Sequence, residues 1–281
     1  MHAVKDAGRA SYMFHRPGSS AAELSRRSRL KLDHAMRLAL ANNQFRLHYQ
    51  PQVDMNTGQV RGAEALLRWR DAELGEVSPA EFIPVAEESG FIVAIGDWVL
   101  RQAVAQAALW QAQGRRLIVS VNVSAVQFQR AAFVESVAAA LEASKLPPEM
   151  LELELTESIL IQNAQETLLR LQALSELGVK LSIDDFGTGY SSLGYLKRFP
   201  IHRLKIDRSF VKGLPGDQSD AGIVNAIVNL GRALHLEIVA EGVETEAQRL
   251  FLAQTGCEQY QGFLFAPALA TPGFEALLPE R

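Results

Sequence analysis

The sequence predicts an α/β protein, a modified (β/α)8 barrel of the TIM type that is mostly parallel and whose first strand can run antiparallel. Three observations predict it. Short apolar strands alternate with helical segments from Phe45 onward. Eight strand candidates can be named, enough to close a barrel. Several of those strands carry acidic or amide side chains at alternate positions, where a covered parallel strand should be apolar throughout.

The chain has 281 residues, 48% of them hydrophobic, which suits one barrel-sized domain with a large core. Its first segment differs from the rest. A short helical run ends at Gly8, Ala10 to His15 follows, and Arg16-Pro17-Gly18-Ser19-Ser20 has the composition of a linker. Ala21 to about Asn42 reads as a connector helix, with Leu32, Met36 and Ala39 at helical spacing and Asn42-Asn43 as its stop.

The strands are expected at Phe45 to Tyr49, Val60 to Leu66, Leu117 to Val123, Leu151 to Leu155, Val179 to Ile183, Arg203 to Ile206, Glu237 to Ala240 and Gln259 to Phe265. The first two are close enough in sequence to form a hairpin. The clearest helices between strands are Trp98 to Gln111, Ala131 to Ala143, Gln165 to Leu177 and Ile223 to Leu234.

A net charge of −4 and a pI near 5.9 exclude the basic footprint that binding duplex DNA or RNA requires. Cys257 stands alone, so there is no intrachain disulfide and no cysteine cluster for zinc or iron-sulfur, and a reducing, cytoplasmic compartment is expected. No uninterrupted apolar stretch approaches the roughly 20 residues of a membrane helix, and no signal-peptide core is present, so no membrane contact is expected from this segment.

Successive strand side chains point to opposite faces. In Val119 to Val123 the valines share one face and Asn122 takes the other. Leu151, Leu153 and Leu155 oppose Glu152 and Glu154; Leu181 and Ile183 oppose Ser182 and Asp184; Leu204 and Ile206 oppose Lys205 and Asp207; Ile238 and Ala240 oppose Glu241. With the apolar set packed on helices, Glu64, Asn122, Glu154, Asp184, Lys205 and Glu241 point inward near the C-terminal ends of their strands, where barrel active sites lie. An antiparallel sheet with one wet face also alternates, but the helical segments argue for crossovers.

Glu64, Glu154, Asp184, Asp185 and Glu241 at one mouth cannot all stay ionised without raised pKa values or bound cations, and Lys205 offers one compensating charge. Oxygen ligands without His or Cys suit Mg²⁺ or Mn²⁺ better than zinc, and two ions are plausible. Taken alone, Asp184-Asp185 before Gly is a turn and Lys205 an ion-pair partner. Gly187 and Gly189 belong to neither a P-loop nor a dinucleotide fingerprint.

The residues match a known family. Glu64-Ala65-Leu66, within Gly62 to Trp69, resembles the signature of EAL cyclic di-GMP phosphodiesterases. Tyr49-Gln50-Pro51 precedes it. Phe82 to Glu87, Asn122-Val123-Ser124, Glu154-Leu155-Thr156-Glu157, Asp184 to Gly189, Leu204 to Asp207, Glu241 to Glu244 and Gln261-Gly262-Phe263 follow in family order.

The resemblance implies two-metal hydrolysis of cyclic di-GMP to linear pGpG. Glu64, Asn122, Glu154 and Asp184 would hold one ion and Asp184, Asp185 and Glu241 the second, while Lys205 orients the attacking water. Arg68 would contact a phosphate and Gln50 the guanine side, Glu157 would anchor the loop from Asp184 to Leu193, and Asp207, Glu244 and Gln261 map to supporting or substrate positions. Phe263 and Ala266 stand where the family often has Tyr and Ser. A homodimer reporting to that loop is implied as well.

Ala3 to Arg9 with Tyr12 and Phe14 resembles the end of a GGDEF domain. Residues 1–20 are then the tail and linker of such a domain, 21–43 the connector helix and 44–281 the phosphodiesterase barrel, the C-terminal part of a longer protein. Two rival expectations are a receptor that holds cyclic di-GMP without cutting it, which should lack metal ligands, and an enolase-type barrel, whose acids should cluster on fewer strands.

Overall fold

The computed structural model describes residues 21–161, 163–188 and 193–279; the GGDEF-like tail expected at residues 1–20 lies outside them. Ten strands form one sheet: β1 (Phe45–Asp54), β2 (Val60–Asp71), β3 (Gly75–Val77), β4 (Ile118–Val123), β5 (Leu151–Thr156), β6 (Lys180–Phe186), β7 (Arg203–Ile206), β8 (Glu237–Ala240), β9 (Gln259–Tyr260) and β10 (Leu269–Ala270). Eight of them close a ring in the order β1-β9-β8-β7-β6-β5-β4-β2, sealed by the β1–β2 pairing, with β3 and β10 added outside it. Within the ring β1 is antiparallel to both neighbours, β2 and β9, and the remaining neighbours are parallel. The expected hairpin is therefore present, and it is longer than the alternation alone marks out.

Helices of eight residues or more are α1 (Ala21–Ala41), α2 (Pro79–Ser89), α3 (Ile92–Ala112), α4 (Phe133–Ser144), α5 (Ala164–Glu176), α6 (Gln218–Leu234) and α7 (Glu246–Thr255). The sequence reading does not name α2 and α7. Pro84 interrupts the first, and Pro inside a helix removes a backbone donor and reads as a breaker. The second is marked by the Thr245/Gln248 capping box and the left-handed Gly256 rather than by a long apolar stripe. The eighth strand is shorter than expected. A Cβ on Gly262 would lie 2.1 Å from the Val243 carbonyl oxygen, so the chain turns there against the loop after β8 instead of continuing the ladder.

The outward faces of the strands make the core, with Val119, Val121, Leu151, Leu153, Leu155, Leu181, Leu204 and Ile206 at most 2% exposed. Helix α3 is long and apolar enough to cross a membrane by length and composition, but Asp97 and Arg101 interrupt it and Ile95, Val99, Ala103, Val104 and Trp110 are buried in this core. Behind the hairpin, Phe45, Trp69 and Phe82 pack with ring centroids 5.4–5.9 Å apart, and Tyr49 meets Trp110 edge-on at 4.9 Å. Helix α1 buttresses that wall. It buries Met36 and Ala39, sets the Arg37 guanidinium 4.5 Å over the Phe91 ring, and pairs Arg29 with Glu88 at 2.9 Å.

Two polar layers fill the barrel. In the lower one, towards the N-terminal ends of the parallel strands, Arg203 donates to Glu152 at 3.0 Å, to Gln52 at 3.3 Å and to Glu237 at 2.7 Å, while Ser120 donates to Glu152 at 3.0 Å. Gln52, Ser120, Glu152 and Arg203 are at most 1% exposed. The upper layer is the candidate site.

Candidate metal centre

The residues of the upper layer lie towards the C-terminal ends of the parallel pairings: Glu64 on β2, where its pairing with β4 ends although the strand itself runs on to Asp71, Asn122 on β4, Glu154 on β5, Asp184 and Asp185 on β6, Lys205 on β7 and Glu241 just after β8. Glu241 stays in register because its N–H still donates to the Ile206 carbonyl at 3.1 Å. The next residue, Gly242, has φ +65° and comes so close to Arg208 that a Cβ would sit 2.5 Å from the Arg208 Cβ, so glycine is required for the turn.

Lys205 is fully buried at the centre. Its Nζ lies 2.6 Å from Glu154 Oε2, 2.6 Å from Glu241 Oε1, 3.0 Å from Asp184 Oδ1 and 3.6 Å from Glu64 Oε2. Glu64 is clamped from both sides. Asn122 Nδ2 donates to its Oε1 at 2.6 Å and Gln261 Nε2 to its Oε2 at 2.5 Å, an arrangement that spends the Asn122 amide nitrogen and not its oxygen on Glu64. Gln261 also donates to Gln50 Oε1 at 3.0 Å, and Gln50 donates to the Ala266 carbonyl at 3.3 Å. The register that sets Gln50 directly across from Glu64 explains this coupling.

Asp185 enters by a different route. The β6–β7 ladder is irregular between Ile183 and Phe186, and Asp185 has φ +53°, an unusual conformation for a residue other than Gly. The irregularity lets adjacent acids serve one place: ligand oxygens of Asp184, Asp185 and Glu241 all lie within 4.8 Å of one another. Asp207 stands behind Asp185 and is itself fixed by the Ser209 hydroxyl and by the Ser209 N–H at 3.0 Å.

The electrostatics follow from crowding in a dry site. Burial, then Glu64, push Glu154 well above the carboxylate range. Burial pushes Glu241 up to about 8 against the pull of Lys205. Burial, then Asp184, push Asp185 up to about 6. Glu64 is also penalised by burial, but Lys205 and the hydrogen bonds from Gln261 and Asn122 bring it below its usual value. Burial disfavours the Lys205 ammonium, yet Asp184, Glu154, Glu241 and Glu64 together hold it well above the usual lysine value. One ammonium does not neutralise this set, so the layer takes up protons or divalent cations. The donors are carboxylate and amide oxygens, the set that hard divalent ions prefer.

Of the other expected residues, Arg68 is half-buried higher on β2, with Nη1 on the Leu67 carbonyl at 2.9 Å. Glu244 has an exposed carboxylate, and its backbone N–H is on Gln248 at 2.8 Å, so it stands at the rim rather than in the ring. Glu157 is 5% exposed with no partner for either carboxylate oxygen among the described residues; residues 189–192 of the loop it would anchor lie outside them. Phe263 is 69% exposed. The sequence reading misses the lower layer beneath the site, although Ser120 and Glu152 share the inward alternation of Asn122 and Glu154 and could have pointed to it.

Residues 33–268 match the model of the EAL domain. The chain is 49% identical over 265 residues to the bifunctional diguanylate cyclase/cyclic di-GMP phosphodiesterase MucR of Pseudomonas aeruginosa, covering 94% of this chain and 38% of that protein. It is 40% identical to the cyclic di-GMP phosphodiesterase PdeR of Escherichia coli, covering 98% of this chain and 41% of that one. The chain thus spans about two fifths of the length of these curated relatives. Among solved structures, a MucR phosphodiesterase in complex with c-di-GMP superposes with TM-score 0.85 at 50% identity over 87% of this chain and 99% of that one. The EAL domain of Mycobacterium smegmatis DcpA superposes with TM-score 0.70 at 42% identity over 83% and 94%. With its signature glutamate in the carboxylate ring and the ring at the mouth of the same barrel, the chain belongs to the EAL domain family.

Proposed function

We propose that the chain is a metal-dependent phosphodiesterase that hydrolyses cyclic di-GMP to linear pGpG. The observation that carries this is the convergence of four carboxylates from four strands on Lys205, with Asp185 beside them. It is supported by relatives named for that activity and by a structural neighbour bound to that ligand. The receptor alternative lacks support because every expected ligand position is filled. The enolase alternative is disfavoured because the acids come from four strands, β2, β5, β6 and β8.

Glu64, Asn122, Glu154 and Asp184 would hold one divalent ion, and Asp184, Asp185 and Glu241 a second, with Mg²⁺ or Mn²⁺ the best match to the donors. Ions held there would supply Lewis acidity, making a water acidic enough to serve as a nucleophile near neutral pH and offsetting the negative charge that develops on the departing 3′ oxygen. The chain's own groups do the placing. Gln261 and Asn122 fix the two oxygens of Glu64. Lys205, held by Glu154 and Glu241, keeps its N–H donors inside the ring, where they orient the attacking water. Asp207 positions Asp185, Arg68 meets a phosphate, Gln50 meets the guanine side, and Glu244 serves the rim. Glu157 anchors the loop between Asp184 and Leu193.

The segment is read as the cytoplasmic, C-terminal barrel (44–281) of a longer GGDEF–EAL chain, joined through the 21–43 helix and working as a homodimer. Chromatography of products after incubation with cyclic di-GMP and Mg²⁺ or Mn²⁺ tests the activity. Linear pGpG that disappears with chelator is expected; intact substrate under both metals refutes the proposal.

A further inference from the structure

The β1–β2 hairpin extends past the ring. Only Gly62 to Ala65 of β2 pair with β4, whereas β2 stays paired with β1 as far as Trp69. The face that carries Gln50 and Glu64 continues outward through His48 and Leu66 to Arg46 and Arg68, which are directly opposed across the two strands. The reverse face, with Phe45, Tyr49, Ala65 and Trp69, is buried against the helices, so the arginine face looks over the mouth. Four strand residues carry the Arg46–Arg68 pair about 13 Å beyond Glu64, a gap that long arginine stems and a ligand can bridge.

Like charges directly opposed in a sheet are destabilising, and no salt bridge among the described residues offsets these two, although Glu64 and Glu76 favour the Arg68 charge from beyond contact. Arg68 spends one N–H on the Leu67 carbonyl and forms no ion pair among the described residues, and neither does Arg46. The next arginine on the same face, Arg70, is paired with Glu76 at 3.6 Å. Burial also works against the Arg68 guanidinium. Two unpaired guanidinium groups side by side, above a ring that attracts cations, form an anion site in search of its anion.

We propose that Arg46 joins Arg68 in a second anion subsite at the rim, which holds the phosphate of a cyclic dinucleotide that is not being cut. This rests on the phosphodiesterase reading above. A cyclic dinucleotide carries two phosphodiesters on one macrocycle. When one lies at the carboxylate ring the other must lie elsewhere, and a forked guanidinium pair matches its two free oxygens. Arg46 is thus a specificity residue that favours a ligand with two phosphates over one with a single phosphate.

The test is steady-state kinetics of the wild type, Arg46→Gln and Arg46→Lys on cyclic di-GMP and on bis(4-nitrophenyl) phosphate, a diester with one phosphate, beside calorimetric titration with cyclic di-GMP. Losing a charge-assisted hydrogen bond predicts KM for cyclic di-GMP about tenfold higher in Arg46→Gln, with little change in kcat and a clearly smaller loss on the one-phosphate diester. Arg46→Lys recovers part of the loss. Because a like-charge neighbour is removed, ligand-free Arg46→Gln should melt at or above the wild type.

An unchanged KM, or equal losses on both substrates, overturns the subsite. Wild type that binds but does not cut, with Arg46→Gln binding more weakly, overturns the phosphodiesterase reading and keeps the subsite. Wild type that neither binds nor cuts cyclic di-GMP overturns both.

Discussion

The two polar layers of the barrel are built from the same strands, sometimes from residues two apart, and they end in opposite electrostatic states. On β5, Glu152 belongs to the lower layer and Glu154 to the upper; on β7, Arg203 and Lys205 divide in the same way. Below, Arg203 pairs with Glu152 and Glu237 and donates to Gln52, and Ser120 donates to the same Glu152 oxygen, while the other Glu152 oxygen has no hydrogen-bond partner among the described residues. Arg203 is raised above its usual value because these acids outweigh its burial, and Glu237 is held down because Arg203 outweighs the burial of that group. Above, Lys205 faces four carboxylates, and Glu154 and Glu241 are driven up. Burial is common to both layers, so burial alone does not mark a site. What separates scaffold from site is whether the charges close among themselves.

The largest expected effect comes from neutralising an acid above. Glu154→Gln should lower turnover of cyclic di-GMP by roughly a thousandfold or more, because a ligand to the activating ions is lost. In chelator, the same variant should melt no lower than the parent, since one member of a crowded set has been discharged. A variant that kept near-parental turnover, or that melted far below the parent in chelator, would make the upper layer as structural as the lower.

Breaking the closed layer should do the reverse. Arg203→Met leaves Glu152 fully buried and uncompensated, a loss of about 3–5 kcal/mol by denaturant titration. Arg203→Met combined with Glu152→Gln should recover a large part of it. If the double variant were as unstable as the single one, the packing of Arg203 and not its charge would hold the layer.

Much of this contrast is legible in the sequence, but unevenly. The period-2 alternation on β4 to β8 marks Asn122, Glu154, Asp184, Lys205 and Glu241 as inward, because apolar neighbours fix which face the helices cover. It gives the direction of a side chain and not its height in the barrel. Ser120 and Glu152 are therefore visible as inward, but their partnership with Arg203 and Gln52 depends on register between strands far apart in sequence. The positive φ of Asp185 and the crossing of Gln261 to Glu64 have the same origin, since both arise from three-dimensional closure. Helix α2 was hidden by Pro84, and the end of β9 by a glycine whose close approach to Val243 no local pattern reveals.

A smaller effect sharpens the same contrast through pH. Glu241 is raised from 4.5 to about 8 in the folded, metal-free chain. A raised acid binds its proton more tightly when folded, so its contribution to stability is fully present below the unfolded value and is lost as pH rises through about 8. Melting in chelator should therefore fall from pH 5 to pH 8.5 more steeply in the parent than in Glu241→Gln, and excess Mg²⁺ should flatten the difference. Equal slopes for the two proteins would show that Glu241 is not crowded.

The smallest effect belongs beside the closed layer. His202 precedes Arg203, and its Nδ1 accepts a hydrogen bond from the Leu181 N–H at 3.2 Å, which only the neutral ring can do. Burial, then Lys180, pull its pKa below 6.5, although Glu152 and Glu237 push the other way. A lowered histidine binds fewer protons when folded, so its contribution is present above pH 6.5 and is lost as pH falls towards the folded value, opposite in sign to Glu241. His202→Asn can accept the same N–H without titrating. Between pH 7.5 and 5.5 the wild type should lose more melting temperature than His202→Asn, by a margin smaller than that of Glu241→Gln, because the His202 ring is partly exposed and solvent screens it. A wild type that loses no more than His202→Asn over this range would show that the ring is free to protonate in place, and that the closed layer tolerates a cation at its edge.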